Sequence, residues 1–195
     1  MRVAVVGGIG SGKSEVMKVA KEKGFFCLSA DEINANLLTL PHYVQKISEL
    51  FPTAVKDGVI DKRTLANVVF SDDAQRQKLN ALAHPEIAKV INDCNEPLLA
   101  VELPIALESV IGSFDEIVFV STPYETRLKR LKGRGLDVEQ AKARMRAQVK
   151  PSVLKRIATR VIDNSGNMDA LVKNASETFD AILSCAKIRL ENQDV

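Results

Sequence analysis

With 195 residues, 46% of them apolar and 27% charged, the chain has the makeup of one folded domain that needs neither disulfides nor a metal to hold its core. Tryptophan is absent and aromatic residues make up only 5%, which argues against a base-stacking nucleic-acid platform. Net charge is only +2, yet residues 127–160 carry twelve Lys/Arg against Asp137 and Glu139, so one stretch is built to meet something anionic.

In chain order, Arg2 to Val6 is a β-branched run bounded by glycine and predicts a buried strand. It runs directly into Gly7, with no apolar stretch of signal-peptide length. Gly7-Gly8-Ile9-Gly10-Ser11-Gly12-Lys13-Ser14 fits G-x-x-x-x-G-K-[ST]. Glycines let backbone wrap close to phosphate, and the start of the next helix adds partial positive charge. Lys13 is then placed for the β and γ phosphates, and the Ser14 hydroxyl for Mg²⁺. A helix from Gly12 to Lys23 follows, with Val16, Met17, Val19 and Ala20 inward and Gly24 at its C-terminal cap.

Phe25 to Leu28 predicts a second strand. Asp31, just past it, is either a base for an acceptor hydroxyl or the N-cap of a helix starting at Glu32. Residues 31–95 read as several helices beside the sheet, one of them capped by Ser71 and faced by Leu79, Leu82 and Ala83. Cys27, Cys94 and Cys185 lack metal-ligand spacing and predict reduced thiols. His84, before Pro85, reads as a capping or packing histidine on the residues alone.

Leu98 to Leu103, Glu116 to Val120 and Arg160 to Ile162 complete five strands of a parallel sheet with helices on both faces. Glu102, at a strand end, reads either as a carboxylate for the Mg²⁺ water shell or as a solvent-facing acid. Thr122-Pro123-Tyr124-Glu125 predicts a capped helix start, and Asp137 with Gln140 a second one after Gly133 and Gly135. These two basic helices have the pattern of a mobile lid. Arg127, Arg130 and Arg134 share one face, as do Arg144 and Gln148. Each arginine alone suits solvent; as a cluster they suit phosphate. No run approaches the ~20 apolar residues of a membrane span.

Together these pieces resemble the dephospho-CoA kinase family over nearly the full length. Gly-Gly-Ile-Gly-Ser-Gly-Lys-Ser matches its loop. Ser29-Ala30-Asp31 stands at its Asp-Ala-Asp, and Asp61 to Phe70 at its Asp-Arg-x-x-Leu-x-x-x-Val-Phe element. Leu82-Ala83-His84-Pro85-Glu86-Ile87 follows, then Arg130-Leu131-x-x-Arg134, Arg144-Met145-x-x-Gln148 and Ile162-Asp163-Asn164-Ser165-Gly166. Ser29, Ile105-Ala106-Leu107 and Thr159 depart from the family pattern.

The resemblance implies an α/β P-loop fold of the nucleoside-monophosphate-kinase type, a three-layer parallel sheet in the order 2-3-1-4-5. Residues 1–30, 96–123 and 151–195 would form the nucleotide core, 31–95 a helical CoA subdomain and 124–150 the lid. The reaction would be transfer of the γ-phosphate of Mg-ATP to the ribose 3′-hydroxyl of dephospho-CoA. Asp31, Lys13, Arg134 and Arg144 would carry catalysis. Gly8, Gly10, Ser11, Gly12, Ser14, Glu15, Asn164 and Gly166 would join Lys13 around the nucleotide. Arg63, His84 and Glu108 would meet dephospho-CoA, and Ser14 with Glu102 the metal. The expectation is a cytoplasmic monomer acting on small molecules, without nucleic acid or membrane. A nucleoside monophosphate kinase is the rival; its acceptor is a phosphate oxygen and needs no base. A nucleotide-dependent switch or nucleic-acid module using the basic stretch is the other, disfavoured by the absence of stacking aromatics beyond Tyr124.

Overall fold

The computed structural model describes residues 1–103 and 108–191, with side chains described except at 70, 71, 108, 109 and 187–191. Residues 104–107 and the Glu108 side chain lie outside the described residues, and with them the expectation attached to Glu108. In order, the elements are β1 (Arg2–Val6), α1 (Lys13–Glu22), β2 (Phe26–Ser29), α2 (Ala30–Leu37) and α3 (Pro41–Leu50). Next come β3 (Val55–Lys56), β4 (Val59–Ile60), α4 (Lys62–Ser71) and α5 (Asp73–Asn92). The chain continues through β5 (Leu99–Glu102), α6 (Glu108–Ile111), β6 (Glu116–Ser121), α7 (Tyr124–Gly133) and α8 (Val138–Arg146). It closes with α9 (Pro151–Ile157), β7 (Arg160–Asp163) and α10 (Met168–Glu191).

Five strands form one sheet in the order β2-β5-β1-β6-β7, the expected 2-3-1-4-5 counted over the core strands alone. β1 pairs in parallel with β5 (Val5 opposite Glu102) and with β6 (Val6 opposite Phe119), and β6 in parallel with β7. Val3 to Val6 are fully buried at four consecutive positions, as a central strand covered on both faces requires. Two compact units emerge: Met1–Leu28 with Glu96–Val195, and Ser29–Asn95.

In the sheet unit, Val16, Met17, Val19 and Ala20 of α1 are buried, the face predicted for them. Gly24 (φ 89°) ends this helix, with Gly24 N–H donating to Lys21 O and Phe25 N–H to Ala20 O, the paired bonds of a Schellman motif. α10 presents Leu171, Ala175, Phe179 and Ile182 at helical spacing to the same apolar cluster. Phe179 is fully buried, its ring 5.2 Å from that of Phe25 and tilted by 58°. No helix among the described residues is long and apolar enough to cross a membrane.

The unit 29–95 carries the expected helices and one element the sequence reading omitted, the antiparallel hairpin β3–β4. Its turn is Asp57-Gly58, both at positive φ (51° and 75°). Asp-Gly between the short runs Val55-Lys56 and Val59-Ile60 is a strong short-range hairpin signal. One cap differs from expectation, and at Asp31, left open between base and cap, the cap falls away. Ser71 closes α4, and Asp72 caps α5 instead, accepting from Ala74 N–H (2.7 Å) and Gln75 N–H (3.4 Å). Asp31 is not a cap: α2 begins at Ala30, and Ser29 Oγ accepts from Glu32 N–H at 3.4 Å. Asp61 caps α4 through Arg63 and Thr64 N–H, and bonds to Thr64 hold its carboxyl below the usual range.

α5 runs through Pro85, which leaves the helix one backbone donor short. His84, just before it, is half-buried, and that burial lowers its pKa from the ordinary histidine value.

Phe179→Ala should therefore destabilise the protein by about 3–5 kcal/mol, because the sheet and α1 cannot collapse into the void; a displaced urea midpoint measures it. His84 makes a pH prediction with a definite sign. Its folded pKa lies below its unfolded value near ~6.5, so on acidification the unfolded chain takes up the proton first. Relative to His84→Gln, the wild type should lose thermal stability as pH drops through that unfolded value, levelling off below the folded pKa. A wild type that instead gains on the variant would mean that His84 is held by an acid.

Candidate active site

Parallel pairing brings the carboxyl ends of β1, β5 and β6 to one edge, and residues 7–12 form the loop leaving β1 there. The loop closes on itself through Ser11 N–H to Gly8 O at 3.0 Å. The carbonyls of Gly10 and Ser11 are taken by side-chain donors from other elements. Ser11 O accepts from Asn164 Nδ2 (2.7 Å), Thr122 Oγ1 (2.9 Å) and Arg130 Nη1 (3.5 Å), and Gly10 O from Arg130 Nη1 (3.3 Å). Gly12 sits at φ 97°, and a Cβ there would fall 2.4 Å from Asn164 Nδ2, so both its backbone and its neighbours exclude a side chain. Gly10 is likewise at positive φ, and Gly8 lies under the Arg127 guanidinium.

Lys13 opens α1 and folds back, Nζ donating to Gly7 O at 3.0 Å and lying 3.6 Å from Glu102 Oε1. The Ser14 hydroxyl beside it is exposed. Glu15 pairs with Lys18 at 2.8 Å along the helix. Ser14, next to Lys13 in the chain, and Glu102, beside its Nζ, thus offer one hydroxyl and one carboxylate. Among the described residues no group of three or more His, Cys, Asp or Glu gathers as a metal cage. That donor set suits Mg²⁺, which binds through one or two protein oxygens plus substrate phosphates and water.

Of the predicted nucleotide residues beyond the loop, Asn164 is 1% exposed, its amide spent between Ser11 O and Arg130 Nη2 (3.1 Å). It braces the loop. Gly166 follows in the turn before α10. Arg134 and Arg144 are both exposed, Arg134 at the C-terminal cap of α7 and Arg144 in the last turn of α8. The helices that carry them share a small apolar cluster of Leu131, Ala141 and Met145, with Ile9 of the loop packed against it. Asp137 caps α8 as expected, accepting from Gln140 N–H at 2.7 Å.

Within the unit 29–95, Asp31 stands in the first turn of α2 with its carboxylate exposed, and Arg63 is exposed in the first turn of α4. Ser29, where the family has an acid, is the helix cap. Of the other two departures, Ile105-Ala106-Leu107 lies outside the described residues, and the Thr159 hydroxyl bonds to Glu116 and Ile117 at the start of β6.

Three residues matter more here than the sequence reading gave them. Thr122 was expected to cap α7 but makes no such bond; its hydroxyl goes to Ser11 O. Gln148 Oε1 accepts from Ile9 N–H at 2.7 Å. Arg127, grouped with the solvent- or phosphate-facing arginines, is 7% exposed and packed on the loop. A signal for Thr122 existed: β6 neighbours β1 in register, so the first residues beyond β6 must abut the loop beyond β1.

The profile of the dephospho-CoA kinase family matches residues 1–170. The dephospho-CoA kinase of Frankia casuarinae is 34% identical over 192 residues, covering 93% of this chain and 83% of that protein. A crystal structure of a Thermus thermophilus protein aligns with TM-score 0.81 and 31% identity over 94% of this chain and 97% of that one. The dephospho-CoA kinase of Campylobacter jejuni aligns with TM-score 0.63 and 25% identity over 93% and 96%. A braced phosphate loop on a 2-3-1-4-5 sheet, a helical unit between its second and third strands and this full-length similarity agree: the chain belongs to the dephospho-CoA kinase family.

Proposed function

We propose the following division of labour for the ATP-dependent phosphorylation of dephospho-CoA that family membership brings to this chain. The observation that carries it is the loop itself, whose Gly10 and Ser11 carbonyls are bonded by Thr122, Arg130 and Asn164. With the Gly10 and Ser11 carbonyls held by these donors, and the Ile9 and Ser11 N–H groups taken by Gln148 and Gly8, the start of α1 and the loop N–H groups not already spent are left for phosphate.

Lys13 exchanges its contacts with Gly7 O and Glu102 for the β and γ phosphates of ATP. Ser14 and Glu102 would hold Mg²⁺, which supplies charge neutralisation at the same phosphates. Asp31 accepts the proton of the ribose 3′-hydroxyl as the oxygen attacks γ-phosphorus and the bond from γ-phosphorus to the β,γ-bridging oxygen breaks, ADP leaving with that oxygen. Its exposed carboxylate supports this, since capping has been taken over by Ser29. Arg134 and Arg144, exposed and without an acid partner among the described ion pairs, stabilise charge on the transferring group as the segment 124–150 closes. Arg63 and His84 belong to the dephospho-CoA side.

Two substitutions test the assignment. Lys13→Ala should abolish turnover, because no water can offer the same charge at the β and γ phosphates. Asp31→Asn keeps size and hydrogen bonding but cannot take a proton. It should lower kcat by about 10²–10⁴-fold and leave ATP binding within a few-fold. Mass spectrometry of products with Mg-ATP and a panel of acceptors reads both. Phosphorylated nucleoside monophosphate with dephospho-CoA untouched would point to the rival kinase class. Conversion of dephospho-CoA at the wild-type rate by Asp31→Asn would remove Asp31 as the base.

A further inference from the structure

Arg127 differs from every other arginine of the basic stretch. It lies on α7 one turn before Arg130, yet only 7% of it is exposed. Its guanidinium covers Gly8: a Cβ on that glycine would come 2.1 Å from Nη1 and 3.2 Å from Cζ. Its own carbonyl oxygen lies 3.1 Å from where a Gly10 side chain would begin. The residue therefore forms the floor under two glycines of the phosphate loop.

That floor carries a charge without a counter-ion. Among the described residues no carboxylate pairs with Arg127, and its buried Nε has no hydrogen-bond acceptor. The contrast with its neighbours is instructive. Arg130 is spent on Gly10 O, Ser11 O and Asn164, and Arg160 is paired with Glu116 at 3.0 Å. The Gln148 carboxamide also reaches the Gly8 face and accepts from Ile9 N–H, but it is neutral and balances no charge. Burial lowers the Arg127 pKa, and the one neighbour that opposes this is Tyr124. Arginine does not escape by shedding its proton, so the charge stays. A buried, unpaired guanidinium opposes folding unless something anionic compensates it. The anion this site is shaped to receive is a polyphosphate, on the other side of the loop backbone.

We propose that Arg127 is a positioning residue for the nucleotide, a buried cation laid under Gly8 and Gly10 that acts through the loop backbone and is balanced only when the polyphosphate of ATP fills the cradle. The inference rests on the reading of residues 7–14 as that cradle. It assigns Arg127 a role separate from Arg134 and Arg144, which reach phosphate directly by closure. It also separates nucleotide affinity from stability, because the same charge that favours the bound state disfavours the empty one.

The test uses the full chain as Arg127→Met and Arg127→Lys, with Lys13→Ala as the reference. Thermal midpoints without nucleotide are measured first, then affinities for ATP, inorganic tripolyphosphate and adenosine by calorimetry. For Arg127→Met the midpoint should equal or exceed that of the wild type. Affinity for ATP and tripolyphosphate should fall by roughly 10–100-fold, the scale of one charge acting across a few ångströms of partly buried backbone. Adenosine affinity should not change, and Arg127→Lys should bind ATP within a few-fold of wild type. A methionine variant that melts lower or does not fold would overturn the proposal, since the guanidinium would then be a structural prop. So would equal loss of ATP and adenosine, or ATP binding at wild-type strength. Weakened ATP binding in Lys13→Ala with none in Arg127→Met removes this inference alone. Undiminished binding in Lys13→Ala removes the cradle reading on which it stands.

Discussion

The carbonyl oxygen of Ser11 is where three separate stretches of chain meet. Thr122 arrives from the end of β6, Arg130 from α7 and Asn164 from the end of β7, and each donates a hydrogen bond to it. A peptide unit has one acceptor and one donor pointing in opposite directions. Holding the Ser11 acceptor therefore fixes the direction of the Gly12 N–H in the same peptide unit, the constraint on which the proposed anion site rests. Without those bonds a glycine-rich loop has too much freedom to keep its amides convergent.

The same anchoring accounts for the order of strands. Thr122 can reach Ser11 only because β6 lies beside β1, and Asn164 only because β7 lies beside β6. The parallel ladder sets Val6 opposite Phe119 and Val120 opposite Ile162, so the residues after each strand arrive at one level. On the other flank β5 sets Glu102 opposite Val5, within 3.6 Å of Lys13 across the site. The site is thus a product of register, and a slipped strand would turn every one of these side chains away.

Much of this was legible in the sequence where the physics is local. The loop, the strands and the Gly24 helix stop follow from patterns a few residues long. Asp137 as the cap of α8 does too. The sequence reading erred where two local solutions competed. Ser71 and Asp72 are both good caps, and the aspartate won because the chain turns extended at position 72 (φ −142°, ψ 115°). At Asp31, left open between base and cap, there was no error: residue 29 is the last extended one, so Ser29 takes the cap. The Asp57-Gly58 hairpin was readable but was passed over within a stretch taken as wholly helical. Thr122 and Arg127 were not readable from local pattern: a hydroxyl diverted from its own helix, and a guanidinium buried on a helix of charged residues, both answer to a loop more than a hundred residues away.

The insertion of residues 29–95 between β2 and β5 has a consequence for how the molecule is made. The central strand β1 has no partner until residue 99 has been synthesised, for Arg2 pairs with Leu99, and β6 comes later still. Closing a loop of that length is entropically unfavourable before its contacts form, and parallel pairing is slow. The helical unit has its internal contacts within 29–95 and can assemble on the ribosome while β1 waits. During that interval Val3 to Val6, buried on both faces in the finished fold, form a β-branched apolar segment with nothing to cover it. That segment is where aggregation during biosynthesis competes with folding, and the insert's length sets how long the exposure lasts.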